Sequence, residues 1–231
     1  MLSVILTSYN RPVLLKRAVD SLFSQTSDDW QLIIADDNSS KPEVHRIIAK
    51  AAKDPRVVAW RSNVRDEDRL KHVRPSVLIN ESYRFVRGDI IGYLTDDCWL
   101  LPDCVEVVNR FFAVHPEIDC AYCIEEIRYC NMETGEEHGG KAYRGWYNKP
   151  LDKAFCVVDH NQVFHRRKAV DMGLRWTTDP FNWKAPDGVT FDTLIKLCGP
   201  LYPINEVLVV YYYHEHNISR KDLTCKEALR W

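Results

Sequence analysis

The stretch DIIGYLTDD, residues 89–97, is an apolar run that ends in two adjacent carboxylates, Asp96 and Asp97. Its β-rich, nearly unbroken hydrophobicity reads as a buried strand. Two like charges side by side at a strand end have two readings. They form a solvated turn that caps the helix-like segment opening with Pro102, or they hold something positive. Oxygen-seeking ions such as Mg²⁺ often take only one or two protein carboxylates and complete their shell with phosphate oxygens. Without a cation, one of the pair would tend to keep its proton.

Outward from this strand the chain alternates between two periods. SVILTS (3–8) reads as a first buried strand, and Pro12 suits the first turn of the helix that follows, with Leu14, Leu15, Ala18, Val19, Leu22 and Phe23 at helical spacing. QLIIADD (31–37) is a second strand stopped by the turn composition DNSS. Residues 41–53 read as a helix, 57–62 as a third strand and 63–74 as a charged loop. PSVLINESYRFVRG (75–88) reads as a helix ended by Gly88. Strands alternating with helices predict an α/β fold, a mostly parallel sheet with helices on both sides. No GxGxxG follows the first strand, so the dinucleotide fingerprint is absent.

Beyond Pro116 the texture changes. Residues 119–130 alternate like an antiparallel strand, and METGEE signals a turn. The Gly/Tyr/Trp-rich segment 139–150 reads more as loop than element. FCVVDHNQVFHRR (155–167) predicts a further strand or two, 190–198 a short helix and 201–213 a late strand.

Composition narrows the function classes. The 231 residues are 45% hydrophobic and 28% charged, with a net charge of −2, so no bulk field advertises nucleic acid or an anionic membrane. The N-terminus lacks a basic signal-peptide region, and no run approaches the ~20 apolar residues of a membrane span. The expectation is a cytoplasmic protein without a transmembrane segment. The eight cysteines then read as reduced, buried thiols. Cys120 and Cys123 form one CxxC, but a zinc site wants a second pair at close spacing.

Ligands of open α/β sheets bind outside the carboxyl ends of the strands. That rule selects TSYN (7–10), DDNS (36–39), the charged loop after the third strand and TDD (95–97), all able to face one crevice. A carboxylate in DDNS can accept from an imide N–H or a ribose hydroxyl, or simply form a turn. Tyr9 can stack on a base or fill the wall. Arg69 and Arg74 have the forks that match phosphate, or belong to ion pairs within the loop.

SVILTSYNRP, SLFSQTSDDWQLIIADDNSS and LINESYRFVRGDIIGYLTDD, in this order and spacing, resemble the nucleotide-binding half of glycosyltransferase family 2, with the GT-A fold. The likeness is close over residues 2–104 and looser through FCVVDHNQVFHRR, APDGVTFDTLIKL and LYPINEV. The combination looks most like the spore-coat polysaccharide glycosyltransferases of that family. The resemblance implies one GT-A domain over 1–231, with a Rossmann-like nucleotide-sugar half (1–104) and a mixed acceptor and catalytic-base half (105–231).

It further implies an inverting, metal-dependent transferase that uses a UDP- or dTDP-sugar, Mn²⁺ or Mg²⁺, and a carbohydrate or other hydroxyl acceptor. Thr7, Tyr9, Asp37 and Arg69 match positions that hold the nucleotide, with Arg74 and Asp96 beside them. Asp97 matches the metal-carrying acid. Asp187 matches the general base by its flanking pattern, and Asp192 is its alternate, since Pro186 departs from the usual acidic pair. His214 in HEHNIS is the candidate C-terminal metal ligand, with His216 as alternate. His160 and Trp183 are expected on the acceptor side, and segments 139–150 and 177–183 as acceptor-contacting lids.

Two other function classes compete. A nucleotidyltransferase also pairs acids with Mg²⁺ on an α/β sheet, but favours a Gly-rich basic loop where this chain has TSYNRP. A sugar- or partner-binding module could keep the fold without turnover, against which the acids at 37, 97 and 187 count.

Overall fold

The computed structural model of the chain describes residues 1–131, 133–134 and 136–213. The first half alternates as its periodicity predicts. Strand β1 (Leu2–Ser8) leads through helix α1 (Pro12–Phe23) to β2 (Trp30–Asp36), and α2 (Pro42–Ala51) leads to β3 (Val57–Arg61). Helix α3 (Arg74–Ser82) then returns the chain to β4 (Ile90–Thr95). Every residue of β1 and β2 is buried, as expected of parallel strands covered on both faces. Proline stands in the first turn of α1, α2 and α3, where its missing N–H costs nothing.

The second half comprises β5 (Cys98–Leu100), α4 (Cys104–Val114), β6 (Cys120–Cys130), β7 (Glu137–Arg144), β8 (Val163–Arg166), α5 (Lys168–Asp171), α6 (Pro186–Cys198) and β9 (Tyr202–Tyr213). The described strands form one mixed sheet in the order β3-β2-β1-β4-β8-β6-β9-β5, with β7 paired to β6. The first four are parallel, β8 runs antiparallel to both β4 and β6, and β9 lies parallel to β6. Residues of α1, α2 and α4 pack in one apolar core and residues of α3, α5 and α6 in another, one on each face of the sheet. Among the described residues no helix is long and apolar enough to cross a membrane.

Several sequence expectations are corrected. The charged loop 63–74 contains a 3₁₀ turn over Asp66–Lys71, which Arg65–Asp68 and Arg69–Asp66 ion pairs three residues apart support. The helix placed over 75–88 stops at Ser82 and tightens into a 3₁₀ turn at Tyr83–Phe85. Gly88 is therefore no helix cap. Its value is close approach: a Cβ there would lie 2.3 Å from the Met1 carbonyl oxygen.

The helix expected from Pro102 begins at Cys104. The segment called loop at 139–150 is a strand up to Arg144, because the edge of β6 supplies hydrogen-bond partners that composition does not signal. FCVVDHNQVFHRR yields a 3₁₀ turn at His160–Gln162 and the single strand β8. Cys120 and Cys123, three apart on β6, fall in the cores of opposite sheet faces and cannot share an ion.

Candidate active site

Three strand ends build the site. Thr7 is the next-to-last residue of β1, Asp37 follows β2, and Asp96 and Asp97 form the turn between β4 and β5. All lie at the carboxyl edge, where the order 3-2-1-4 reverses between β1 and its neighbours. Asn10 and Asn38, with φ of 56° and 59°, turn the chain sharply after β1 and β2 in a backbone region that asparagine tolerates. The Asn10 side-chain oxygen accepts from the Ser40 N–H at 2.8 Å, tying the two loops together.

Asp37 is buried and holds two arginines. Arg74 donates to its Oδ1 at 2.6 Å through Nη2, and Arg69 donates to its Oδ2 at 2.5 Å through Nη1. Ser62 adds a hydroxyl donor at 3.1 Å. The Arg69 guanidinium also lies 3.8 Å above the Tyr9 ring. Two nucleotide-side readings thus turn out to be linked: the arginines grip Asp37. Thr7, Tyr9, Asp37, Arg69, Arg74 and Asp96 line one cavity of about 320 Å³.

The acid pair answers to a third arginine. Arg11 Nη1 lies 3.1 Å from Asp96 Oδ1 and 3.0 Å from Asp97 Oδ2. The Tyr9 N–H donates to Asp96 Oδ2 at 3.0 Å. Burial pushes the Asp96 carboxyl up to about 6, against the pull of Arg11 and with a further push from Asp97. Burial penalises the Arg11 guanidinium, yet the two carboxylates hold it above its ordinary range. Two hard oxygen donors on a rigid turn fit Mg²⁺ or Mn²⁺, as does a pair that one arginine only half neutralises. Among the described residues no third His, Cys, Asp or Glu joins them in a metal-holding group. Phosphate oxygens and water would complete the shell.

A second cavity, of about 200 Å³, adjoins the first and shares Arg11, Pro75, Thr95 and Trp183 with it. Asp97, Asp159, His160 and Asp187 line it. Asp187 stands in the first turn of α6 and accepts the Gly188 N–H at 2.9 Å. Burial pushes its carboxyl up to about 6, with Asp159 adding to the rise. Asp192, one turn further on, is committed elsewhere: its Oδ1 accepts the N–H groups of Ala154 at 2.7 Å and Phe155 at 3.2 Å.

His160 packs edge-on to Tyr93, and burial lowers its pKa to about 4, so it is neutral. Its Nε2 and the Trp183 Nε1 are buried without a hydrogen-bond partner among the described residues. His214 and His216 lie outside the described residues.

The structure therefore gathers Thr7, Tyr9, Asp37, Arg69, Arg74, Asp96, Asp97, His160, Trp183 and Asp187 around two adjoining cavities. Sequence reasoning missed Arg11, Asp159 and Arg144. Arg11 had a signal, as the one cation in TSYNRP. Arg144 pairs with the fully buried Glu125 and, at 3.1 Å, with Asp159, a link across strands that no spacing reveals.

An open sheet with an acid pair at its switch point, and a separate half-buried carboxylate across the groove, defines the GT-A type of transferase. The chain belongs to glycosyl transferase family 2, whose family model matches residues 3–173. It is 38% identical over 215 residues to Protein CgeD of Bacillus subtilis (strain 168), covering 91% of this chain and 49% of that protein. It is 26% identical over 226 residues to the chondroitin synthase of Escherichia coli, covering 96% of this chain and 30% of the synthase. The chain thus spans half or less of the length of these relatives. Among solved structures, S. aureus TarS 1–349 in complex with UDP-GlcNAc superposes with a TM-score of 0.72 at 12% identity, over 96% of this chain and 61% of that one. The mannosyltransferase PcManGT from Pyrobaculum calidifontis, in complex with GDP-Man and Mn²⁺, gives 0.62 at 14% identity, over 92% and 56%. At these identities the likeness is one of fold.

Proposed function

We propose that this chain is an inverting, metal-dependent glycosyltransferase that moves a sugar from a UDP- or dTDP-sugar to an acceptor hydroxyl, in building a polysaccharide or glycoconjugate. The observation that carries the reading is the adjacency of the two cavities, with Asp37 and Tyr9 in one, Asp97 and Asp187 in the other, and Arg11, Thr95 and Trp183 common to both. A nucleoside seated in the first places its diphosphate at the acid pair and its sugar before Asp187. The TarS complex supports a uracil nucleotide, and the chondroitin synthase relative supports a polysaccharide product.

In this mechanism Tyr9 and Arg69 flank the base, and Asp37 accepts a hydrogen bond from base or ribose. Asp96 and Asp97 would hold the divalent ion, which supplies charge neutralisation to the leaving diphosphate. Asp187 takes the proton from the acceptor hydroxyl as that oxygen attacks the anomeric carbon from the face opposite the diphosphate. Inversion follows from that single displacement. His160 and Trp183 wall the cavity on the acceptor side.

The test is a calorimetric and thermal-shift series with uridine, UDP, dTDP, GDP and UDP-sugars, with and without Mn²⁺. Preferential stabilisation by UDP or dTDP, enhanced by Mn²⁺, and release of nucleoside diphosphate during transfer are the expected results. Release of pyrophosphate would instead identify a nucleotidyltransferase, and no Mn²⁺-dependent nucleotide binding a non-catalytic module.

A further inference from the structure

We propose that Arg11 binds the diphosphate of the nucleotide directly, presented to it by Asp96 and Asp97. The inference rests on the donor reading above and assigns a residue that reading leaves without a task. Position is the first argument. Arg11 lines both cavities and stands at their junction, where a diphosphate linking a nucleoside in one to a sugar in the other must pass.

The second argument is the accounting of cations. A diphosphate needs positive charge beyond what the acid pair can collect, and Arg69 and Arg74 are committed to Asp37, line only the first cavity and are 14% and 12% exposed. Arg69 uses Nη1 and Nη2 on Asp37 and Nε on Asp66, while Arg74 uses Nε and Nη2 on Asp37. Arg11 binds both of its carboxylates through the single nitrogen Nη1, and no bond from its Nη2 or Nε to a described residue accompanies these two. A guanidinium carries five N–H donors in one plane, so the rest of the fork is left for an anion. Its side chain is 32% exposed, reachable from the groove.

The third argument is rigidity. The Arg11 carbonyl accepts the first helical bond of α1, from the Leu15 N–H at 2.9 Å, which fixes the backbone from which the side chain reaches. The two carboxylates fix its other end. An arginine held at both ends gives up little rotamer freedom on binding. Asp96 and Asp97 thus act as positioning residues for a cation as well as candidate metal ligands.

The experiment is calorimetry of UDP and of uridine with wild type, Arg11→Gln and Arg11→Lys, each in chelator and in Mn²⁺, with melting temperatures recorded. Charged hydrogen bonds of this kind correspond to a loss of roughly tenfold or more in UDP affinity. The expected result is that loss in Arg11→Gln, with uridine binding unchanged and the larger effect in chelator. Where Arg11→Gln does not fold, Arg11→Lys serves. It keeps the charge that the buried acids need but lacks the fork, so UDP weakens several-fold while uridine does not.

UDP binding equal to wild type in the folded variants overturns the inference alone. So does a matched weakening of UDP and uridine. Among the described residues Lys184 is the other cation in the wall of the second cavity; Lys184→Ala weakening UDP while the Arg11 variants do not would also overturn it. A wild-type protein that binds neither UDP nor uridine under either condition overturns the donor reading and this inference together.

Discussion

Arg74 grips Asp37 side-on, its Nη2 2.6 Å and its Nε 3.1 Å from the same carboxylate oxygen, both side chains being nearly buried. With Arg69 on the other oxygen, the end of β2, the 3₁₀ turn 66–71 and the start of α3 are locked into one wall of the proposed nucleotide cavity. Removing one member of such a pair leaves an uncompensated charge. Asp37→Ala is expected to lower unfolding free energy by about 3 kcal/mol in denaturant titration, since it strands two arginines. It should also abolish the uridine binding that Arg11 variants retain. Undiminished stability would show that the arginines find other partners.

Asp187→Asn is expected to cut transfer by roughly 10²–10⁴-fold, the range of a general base, while UDP affinity stays at the wild-type value. Asp192→Asn should behave differently, because its carboxylate accepts the Ala154 and Phe155 N–H groups. It should lose about 1–2 kcal/mol of stability and keep most of its turnover. The reverse pattern would move the base to Asp192.

The pH dependence follows from the same carboxylate. Burial and Asp159 push Asp187 up to about 6, and a base works only in its ionised form. The transfer rate with saturating donor should therefore climb as pH rises through 6 and level off above it. Asp159 raises Asp187, so Asp159→Asn should move that limb to lower pH. A limb that stays in place, or moves up, would separate the two acids electrostatically.

Gly145 has φ of +96°, and a Cβ there would lie 2.5 Å from Gln162 Nε2 and 2.9 Å from the Cys123 carbonyl oxygen. Gln162 donates to that carbonyl at 2.8 Å and to the Arg144 carbonyl oxygen at 3.3 Å, which ties the end of β7 to β6 and to the 3₁₀ turn beside the second cavity. Gly145→Ala combines backbone strain with a clash, so a loss of more than about 1 kcal/mol is expected in thermal or chemical denaturation. A neutral result would show that the turn relaxes.

The first ninety-seven residues declared most of their structure. Continuous apolar runs, prolines at helix starts and acids at strand ends are local signals, and β1, α1, β2, α2, β3 and β4 follow them. The carboxyl-edge rule then placed Thr7, Tyr9, Asp37, Asp96 and Asp97 together without further information. Beyond Pro116 the signal weakened because the strands are paired by distant edges. Glu137–Arg144 is a strand only because β6 is beside it, and its composition alone reads as loop.

What the sequence determined by itself was the alternation, hence the sheet, hence the edge at which the candidate site sits. Hydrophobic period is set by the residue and its near neighbours, and survives without tertiary context. Tertiary structure alone decided the electrostatic partners: Arg11 between Asp96 and Asp97, Arg69 and Arg74 on Asp37, Arg144 on Glu125 and Asp159, and Asp187 rather than Asp192 in the cavity wall. A charge is legible in a sequence, but the charge that neutralises it lies wherever the fold brings opposite signs out of water together.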